Sequence, residues 1–390
     1  MAPPAPHEGK NFEDEVKRLY RVVACTGDAP IPTDLDADTV ESYCRELRTT
    51  IDKYRKRYVN VASPFLHGLL PPNLPTTVVY PFSGGDLVTA LTTYSDATDI
   101  TTLSLELAGD PRRLHGMSKQ SLWKSLKRMR AELGELFDFD DFSRSETLKN
   151  TQRGELPGEL GFFLVSLAVH GYEPLSLRYF KLTPEGDIHY FDDEEITSLE
   201  AQIAEKRKGT WLPPDFSETF ANAEISFRKI GDDKAPIHVH RHIAVNLSDD
   251  QLAGTPGVVK YLEKKGQVAG MVKAASYLLW TDAFQIMRDY LVKHAVFTVS
   301  DSTGVPPSFA TAGGLVQETY GSFTGSLLPA AADHNQAFKA LWKGQPKRSL
   351  PFRFGYRDRT NRSHLLVTRT PEMASPAPAP QGGAAPSKAM

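Results

Sequence analysis

Apolar residues recur at two different spacings along this chain, and the change between them divides it. Between residues 11 and 60 they return every three or four positions: Phe12, Val16, Leu19 and Tyr20, then Val40, Tyr43, Leu47 and Ile51. That period predicts two amphipathic helices, the second capped by Asp38 or Thr39. Pro64, Pro71, Pro72 and Pro75 mark residues 61–75 as a connection. From residue 76 the apolar positions gather into short β-branched runs. Residues 76–82 read as a buried strand, Ser83-Gly84-Gly85-Asp86 as a tight turn, and residues 87–94 as a helix with Asp86 at its N-cap. A second strand over 100–107 completes a βαβ unit, which imposes parallel pairing.

Further on, residues 119–136 and 160–170 have helical patterns, the latter ended by Gly171. Residues 177–182 and 188–191 flank a hairpin turn at Pro184–Asp187, and 223–230 pair with 237–247 around Gly231. An apolar run over 271–280, an acid-capped helix over 282–294 and a strand over 296–300 follow. A stretch rich in Gly, Ser, Thr and Pro extends to residue 329. A short helix is expected over 333–343, then a basic, partly aromatic stretch over 350–369. The expected fold is α/β, a mixed, mostly parallel central sheet flanked by helices. An N-terminal helical segment and linker (11–75) precede the α/β domain (76–370). Residues 1–10 and the Ala/Pro tail 371–390 are expected to be disordered.

The chain has 390 residues, 40% hydrophobic and 24% charged, so it can bury a core unaided. A net charge of −3 gives no strong nucleic-acid signal and no bulk attraction to anionic lipid. No apolar run reaches the ~20 residues of a transmembrane segment. The first ten residues lack the layout of a signal peptide, which points to the cytoplasm. Cys25 and Cys44 can form one bridge if the protein is exported; two buried thiols are the commoner fate.

Four places have residues suited to chemistry. Ser83, Gly84, Gly85 and Asp86 form a glycine turn between a strand and a helix N-terminus, where ligands of open α/β sheets bind. Glu106, near the end of the next strand, is placed as a ribose-binding acid would be. Neither GxGxxG nor a phosphate-loop lysine is present, and Asp86 would repel a phosphate. An uncharged or adenosyl-type ligand therefore suits the turn better than a polyphosphate; the plain alternative is a turn with an Asp cap. His238, His240 and His242 share one face of a strand and can meet a first-row metal. They span about 13 Å by strand rise, so two would reach one ion and a third ligand would come from elsewhere, unless the row is simply a polar face. Lys273 and Tyr277, with Asp282 nearby, have the separation of a reductase proton relay, but in reversed order. Arg348, Arg353, Arg357, Arg359 and Arg362 interleave with Phe352, Phe354 and Tyr356, most simply a solvated edge.

The order of several motifs carries more than any one. Tyr80-Pro-Phe-Ser-Gly-Gly-Asp, Leu105-Glu-Leu-Ala-Gly-Asp-Pro, Asn246-Leu-Ser-Asp-Asp, Lys273-Ala-Ala-Ser-Tyr-Leu-Leu, Asp301-Ser-Thr-Gly-Val-Pro, Tyr320-Gly-Ser-Phe-Thr-Gly and Leu350-Pro-Phe-Arg-Phe-Gly-Tyr follow in sequence. Over residues 75–357 this resembles an uncharacterised family of bacterial proteins, many described as exported lipoproteins. The resemblance implies the envelope or periplasm; it implies no activity, cofactor or partner. The first expectation is thus an exported protein that binds a ligand or partner. The alternatives are an adenosyl- or nucleotide-dependent transferase using the Ser83–Asp86 turn, and a His-ligated metalloprotein. Whether the chain is an enzyme is not decided by its residues.

Overall fold

A computed structural model describes residues 9–27, 30–138, 156, 158–206, 219–325, 332–355 and 363–373. Its strands, in chain order, are β1 (Thr77–Pro81), β2 (Asp99–Ser104), β3 (Tyr172–Leu182), β4 (Ile188–Tyr190), β5 (Asn222–Lys229), β6 (His238–Ala244), β7 (Val268–Val272), β8 (Ala295–Ser300), β9 (Val316–Ser322) and β10 (Ser363–Arg369). They form one sheet in the order β4-β3-β5-β6-β2-β1-β7-β8-β10-β9. The α/β class and the flanking helices are as expected; the mostly parallel sheet is not. Four of the nine pairings are parallel, joining β6, β2, β1, β7 and β8. The other five are antiparallel, because β3, β4 and β5 form a wing on one side and β10 and β9 another. Neither β9 nor β10 was expected: β9 is polar and holds Gly321, and β10 lies in the stretch read as basic surface.

Successive residues of a strand point to opposite faces. Val78, Tyr80, Ile100, Met271 and Phe297 face one core, shared with α1 (Glu13–Val23), α2 (Ala37–Tyr54), α3 (Asn60–His67), α4 (Leu87–Thr93), α5 (Lys119–Asp138) and α6 (Leu160–Val169). Val79, Leu103, Val268 and Val272 face the other, with the helices Pro256–Lys264 and Gln285–His294. The crossover from β1 to β2 runs through α4 on the first face. That from β7 to β8 runs through Gln285–His294 on the second. The connections therefore part between the neighbouring strands β1 and β7, which makes that gap the topological switch point.

Several local expectations change. The cap of α2 is Asp36, whose Oδ2 accepts from Thr39 N at 3.0 Å. This helix continues through a π-helical turn, Arg55–Val59, into α3, so Pro64 lies inside a helix and the connection begins only at Gly68. Asp249, not Asp282, caps Gln285–His294, accepting from Gln285 N and Ile286 N, both at 3.0 Å. Phe352 and Phe354, read as part of a solvated edge, are core residues; Tyr356, Arg357, Arg359 and Arg362 lie outside the described residues. Pro371–Met373 forms a 3-10 turn with Met373 buried, so the tail expected from residue 371 is structured at its start; residues 1–8 and 374–390 lie outside the described residues.

Cys25 and Cys44 are joined in a disulfide with a Cα–Cα distance of 5.2 Å, which overturns the preference for two thiols. The end of α1 lies against α2, where the Tyr43 hydroxyl donates to Val23 O at 2.8 Å. No helix of the described residues is long and apolar enough to cross a membrane. The outer edge of β9 is occupied by a side chain. Gln345 Nε2 donates to Gln317 O at 2.6 Å and its Oε1 accepts from Thr319 N at 3.0 Å.

Candidate functional site

The Ser83–Asp86 turn leaves the carboxyl end of β1 at the switch point. Phe82 and Gly84 have positive φ of 59° and 51°, which reverses the chain sharply. Ser83 N donates to Leu103 O at 3.1 Å, tying the turn to β2, and Asp86 N donates to Ser83 O at 3.1 Å. A Cβ on Gly85 would collide with Glu159 Oε2 and Phe162, so α6 can approach only a glycine there.

Asp86 gathers the polar groups. Its Oδ1 accepts from Thr89 N at 3.2 Å and Thr89 Oγ1 at 2.6 Å, which caps α4. Its Oδ2 accepts from the Tyr80 hydroxyl at 3.1 Å and from Lys273 Nζ at 2.7 Å. Lys273 is the first residue past β7, and Nζ also donates to Thr89 Oγ1 at 3.0 Å. The two charged side chains are 10% and 9% exposed, so the pair is held largely out of water. Tyr54 and Tyr58, on either side of the π turn's start, stack with centroids 5.2 Å apart. Burial pushes the Tyr54, Tyr58 and Tyr80 phenols up, and the Asp86 charge adds to each. All three remain protonated, and the Tyr80 hydroxyl donates to the carboxylate.

The loop after β7 is conformationally unusual. Ala274, Ser276 and Tyr277 have φ of 54°, 50° and 60°. With Phe82 they make four of the five left-handed non-glycine residues in the described chain, and each such residue costs about 1–3 kcal/mol. The loop is held by Asp301 Oδ2, which accepts from Ala274 N at 2.9 Å, and by Thr303 Oγ1, which accepts from Ala275 N at 3.0 Å. The Tyr277 hydroxyl meets Ser302 Oγ at 2.8 Å, and His364 Nε2 lies 3.0 Å from that same oxygen.

Ser83–Asp86 and Lys273 thus come together, and Glu106 lies beside them. A Cβ on Gly84 would stand 4.0 Å from Glu106 Oε1, and burial raises the Glu106 carboxyl. Lys273 Nζ bonds to Asp86 and Thr89, and the Tyr277 hydroxyl bonds to Ser302. Asp282 is exposed on a 3-10 turn. Around the turn, Phe82, Gly84, Gly85, Glu106 and Ala274 are half-buried, and Leu105 and Ser276 are exposed. A separate hollow of about 10 Å³, bounded by Leu19, Asp110, Met129 and Leu160, has none of the turn residues in its wall and is the size of one water.

The three histidines share one face as expected, but inside the core. His242 Nε2 lies 2.7 Å from Glu106 O, which only accepts, so that nitrogen bears the proton. His242 Nδ1 then accepts from Thr102 Oγ1 at 3.1 Å, and the same oxygen accepts from His240 Nε2 at 2.8 Å. His238 Nδ1 donates to Ala97 O at 2.7 Å. Four of the six ring nitrogens are engaged this way. Burial pushes His240 well down and His242 down to about 4, so both are neutral. Among the described residues no group of three His, Cys, Asp or Glu is placed to hold a metal ion.

Reasoning from the residues missed Tyr54, Tyr58, Thr89, Glu159 and Asp301. Tyr80 and Asp301 lie in motifs noticed for their order, but nothing local signals their shared neighbourhood. No family model, curated protein or solved structure matches this chain.

Proposed function

We propose that this chain binds a small polar ligand at its sheet's switch point. The observation that carries this is the Lys273–Asp86 contact, made between the carboxyl ends of two neighbouring parallel strands whose connections leave on opposite faces. Open α/β sheets bind their ligands at that place. The concentration of left-handed residues on the same two loops supports the reading, since such strain persists where function requires it. The ligand is neutral or cationic: Lys273 is already paired with Asp86, and the carboxyls beside the turn, Glu106 and Glu159, are raised by burial, so an anion would meet no compensating charge from them. The Cys25–Cys44 bridge favours an exported protein, because disulfides persist in oxidising compartments.

A transferase using an adenosyl donor is the second reading, favoured by Glu106 standing beside Gly84 as a hydroxyl acceptor would. The histidine row gives a metalloprotein no comparable support. A thermal-shift panel of S-adenosylmethionine, adenosine, neutral sugars and ATP tests both readings. A ligand at 100 times its Kd stabilises by about 2.7 kcal/mol, which raises Tm by a few degrees. The expected result is a shift with a neutral or cationic compound that Lys273→Met abolishes. No shift with any member would remove the binding reading, and a shift with ATP alone would reverse the charge preference.

A further inference from the structure

We propose that Lys273 is a nucleophile that condenses with a small neutral hydroxy-aldehyde or hydroxy-ketone, with Asp86 as its proton carrier. The inference rests on the switch point being the binding site, and adds what is bound there and how. Three features lead to it. Lys273 is the one amine among the described residues bonded to Asp86, fixed by two contacts, 2.7 Å to Asp86 Oδ2 and 3.0 Å to Thr89 Oγ1. Thr89 Oγ1 gives its own proton to Asp86 Oδ1 at 2.6 Å, so it meets the amine as an acceptor. The chain turns left-handed immediately after this lysine, at Ala274, and the resulting loop is bonded to Asp301 and Thr303. The amine is thereby set at the end of β7 rather than left on a mobile stem, as a covalent nucleophile requires.

The chemistry balances without an oxidant or a further reactant. The ammonium of Lys273 gives a proton to Asp86 Oδ2 across their 2.7 Å contact. The neutral amine adds to the carbonyl carbon, forming a C–N bond, and a proton passes from nitrogen to the carbonyl oxygen to give a carbinolamine. Asp86 returns its proton to that hydroxyl, which leaves as water. The product is an iminium on Lys273 beside a carboxylate of restored charge. The Tyr80 hydroxyl, 3.1 Å from Asp86 Oδ2, holds that carboxylate in place through both transfers. Asp86 already balances Lys273, so a carboxylate-bearing carbonyl compound would bring an uncompensated charge, and a hydroxylated neutral one would not.

Borohydride trapping tests this on the full chain. The protein is treated with dihydroxyacetone or with pyruvate, reduced, digested and mapped by mass spectrometry. Dihydroxyacetone should label Lys273 about tenfold more than the exposed Lys124, and more than pyruvate does. Lys273→Arg keeps a cation for Asp86 and should lose the label at residue 273. Asp86→Asn keeps the amine and should label more slowly, which protects the test if the arginine variant folds poorly. Labelling of Lys273 no greater than that of Lys124 would overturn the nucleophile, and a preference for pyruvate would overturn the neutral class. A thermal shift in the preceding panel without a Lys273 adduct sinks this inference and leaves ligand binding standing; neither a shift nor an adduct sinks both.

Discussion

The histidine row on β6 and the glycine turn after β1 both stood out as polar places in an apolar frame, and they come to opposite ends. The row bonds mostly within itself, with His240 Nδ1 left buried and unbonded. His240, Thr102 and His242 hand one another hydrogen bonds until the last reaches a backbone carbonyl, and all three are buried. The turn reaches outward, drawing Lys273 from 187 positions away, and its rim stays partly exposed. Spacing along one strand therefore says which side chains share a face. It does not say whether their remaining valences are used up locally. A turn at the end of a parallel strand gathers residues from several crossovers, and that is where unlike charges can meet.

The largest effect should come from breaking the outward-reaching cluster. Lys273→Met leaves Asp86 charged, buried and without its cation, at a cost of about 3–5 kcal/mol in urea unfolding. A loss below about 1 kcal/mol would mean that water already screens the pair, and the contrast with the buried row would fail. Next is acid. His242 is pushed down to about 4 by burial, so it binds its proton more weakly folded than unfolded. Its contribution is present above about pH 6.5 and is lost as pH falls through 4, roughly 3 kcal/mol in all. Its imidazole resonances should stay neutral in NMR spectra down to about pH 5; titration near 6.5 would show that the row is not sealed.

Thr102→Val tests the same row by shape. The methyl fits where the hydroxyl was, but His240 Nε2–H loses its acceptor and His242 Nδ1 its donor. The expected loss is about 1–3 kcal/mol, and no change in the chemical unfolding midpoint would show that the chain of hydrogen bonds is dispensable. The subtlest effect concerns Glu159, which meets the turn at Gly85. Burial first, then the charges of Glu106 and Glu132, hold its carboxyl well above the ordinary range. A raised carboxyl favours the folded state fully below its unfolded pKa, and that benefit is lost as pH rises through the folded value. Glu159→Gln should therefore gain on the native protein as pH increases, read as a Tm difference that widens between about pH 5 and about pH 8. A difference that stays constant would place Glu159 in a solvated setting.

Local pattern recovered what local forces decide. The periods of α1 and α2, the strand–turn–helix at residues 77–93 and the Asp86 cap all depend on neighbours in sequence, and they appear as read. What depends on distant partners did not show. Asp36 outcompetes Asp38 at its helix by geometry alone. Strands β9 and β10 are made strands by each other and by β8, not by their composition. Tyr54 and Tyr58 drew no notice in the N-terminal segment, and a π turn brings both phenols within the electrostatic reach of Asp86. Lys273 was noticed for a tyrosine four residues on, and its partner proved to be an aspartate on the next strand's turn.

The carboxamide of Gln345 has a consequence for the protein as an object among copies of itself. A strand at the rim of a sheet offers unmet amides and carbonyls to any passing chain, and sheets grow into aggregates by that route. Here one side chain imitates the missing neighbour at Gln317 and Thr319. Arg348 extends the stop, its carbonyl accepting from Gly321 N at 2.9 Å, so the finite size of the sheet at that end rests on one short segment, as a zip is stopped by its last teeth.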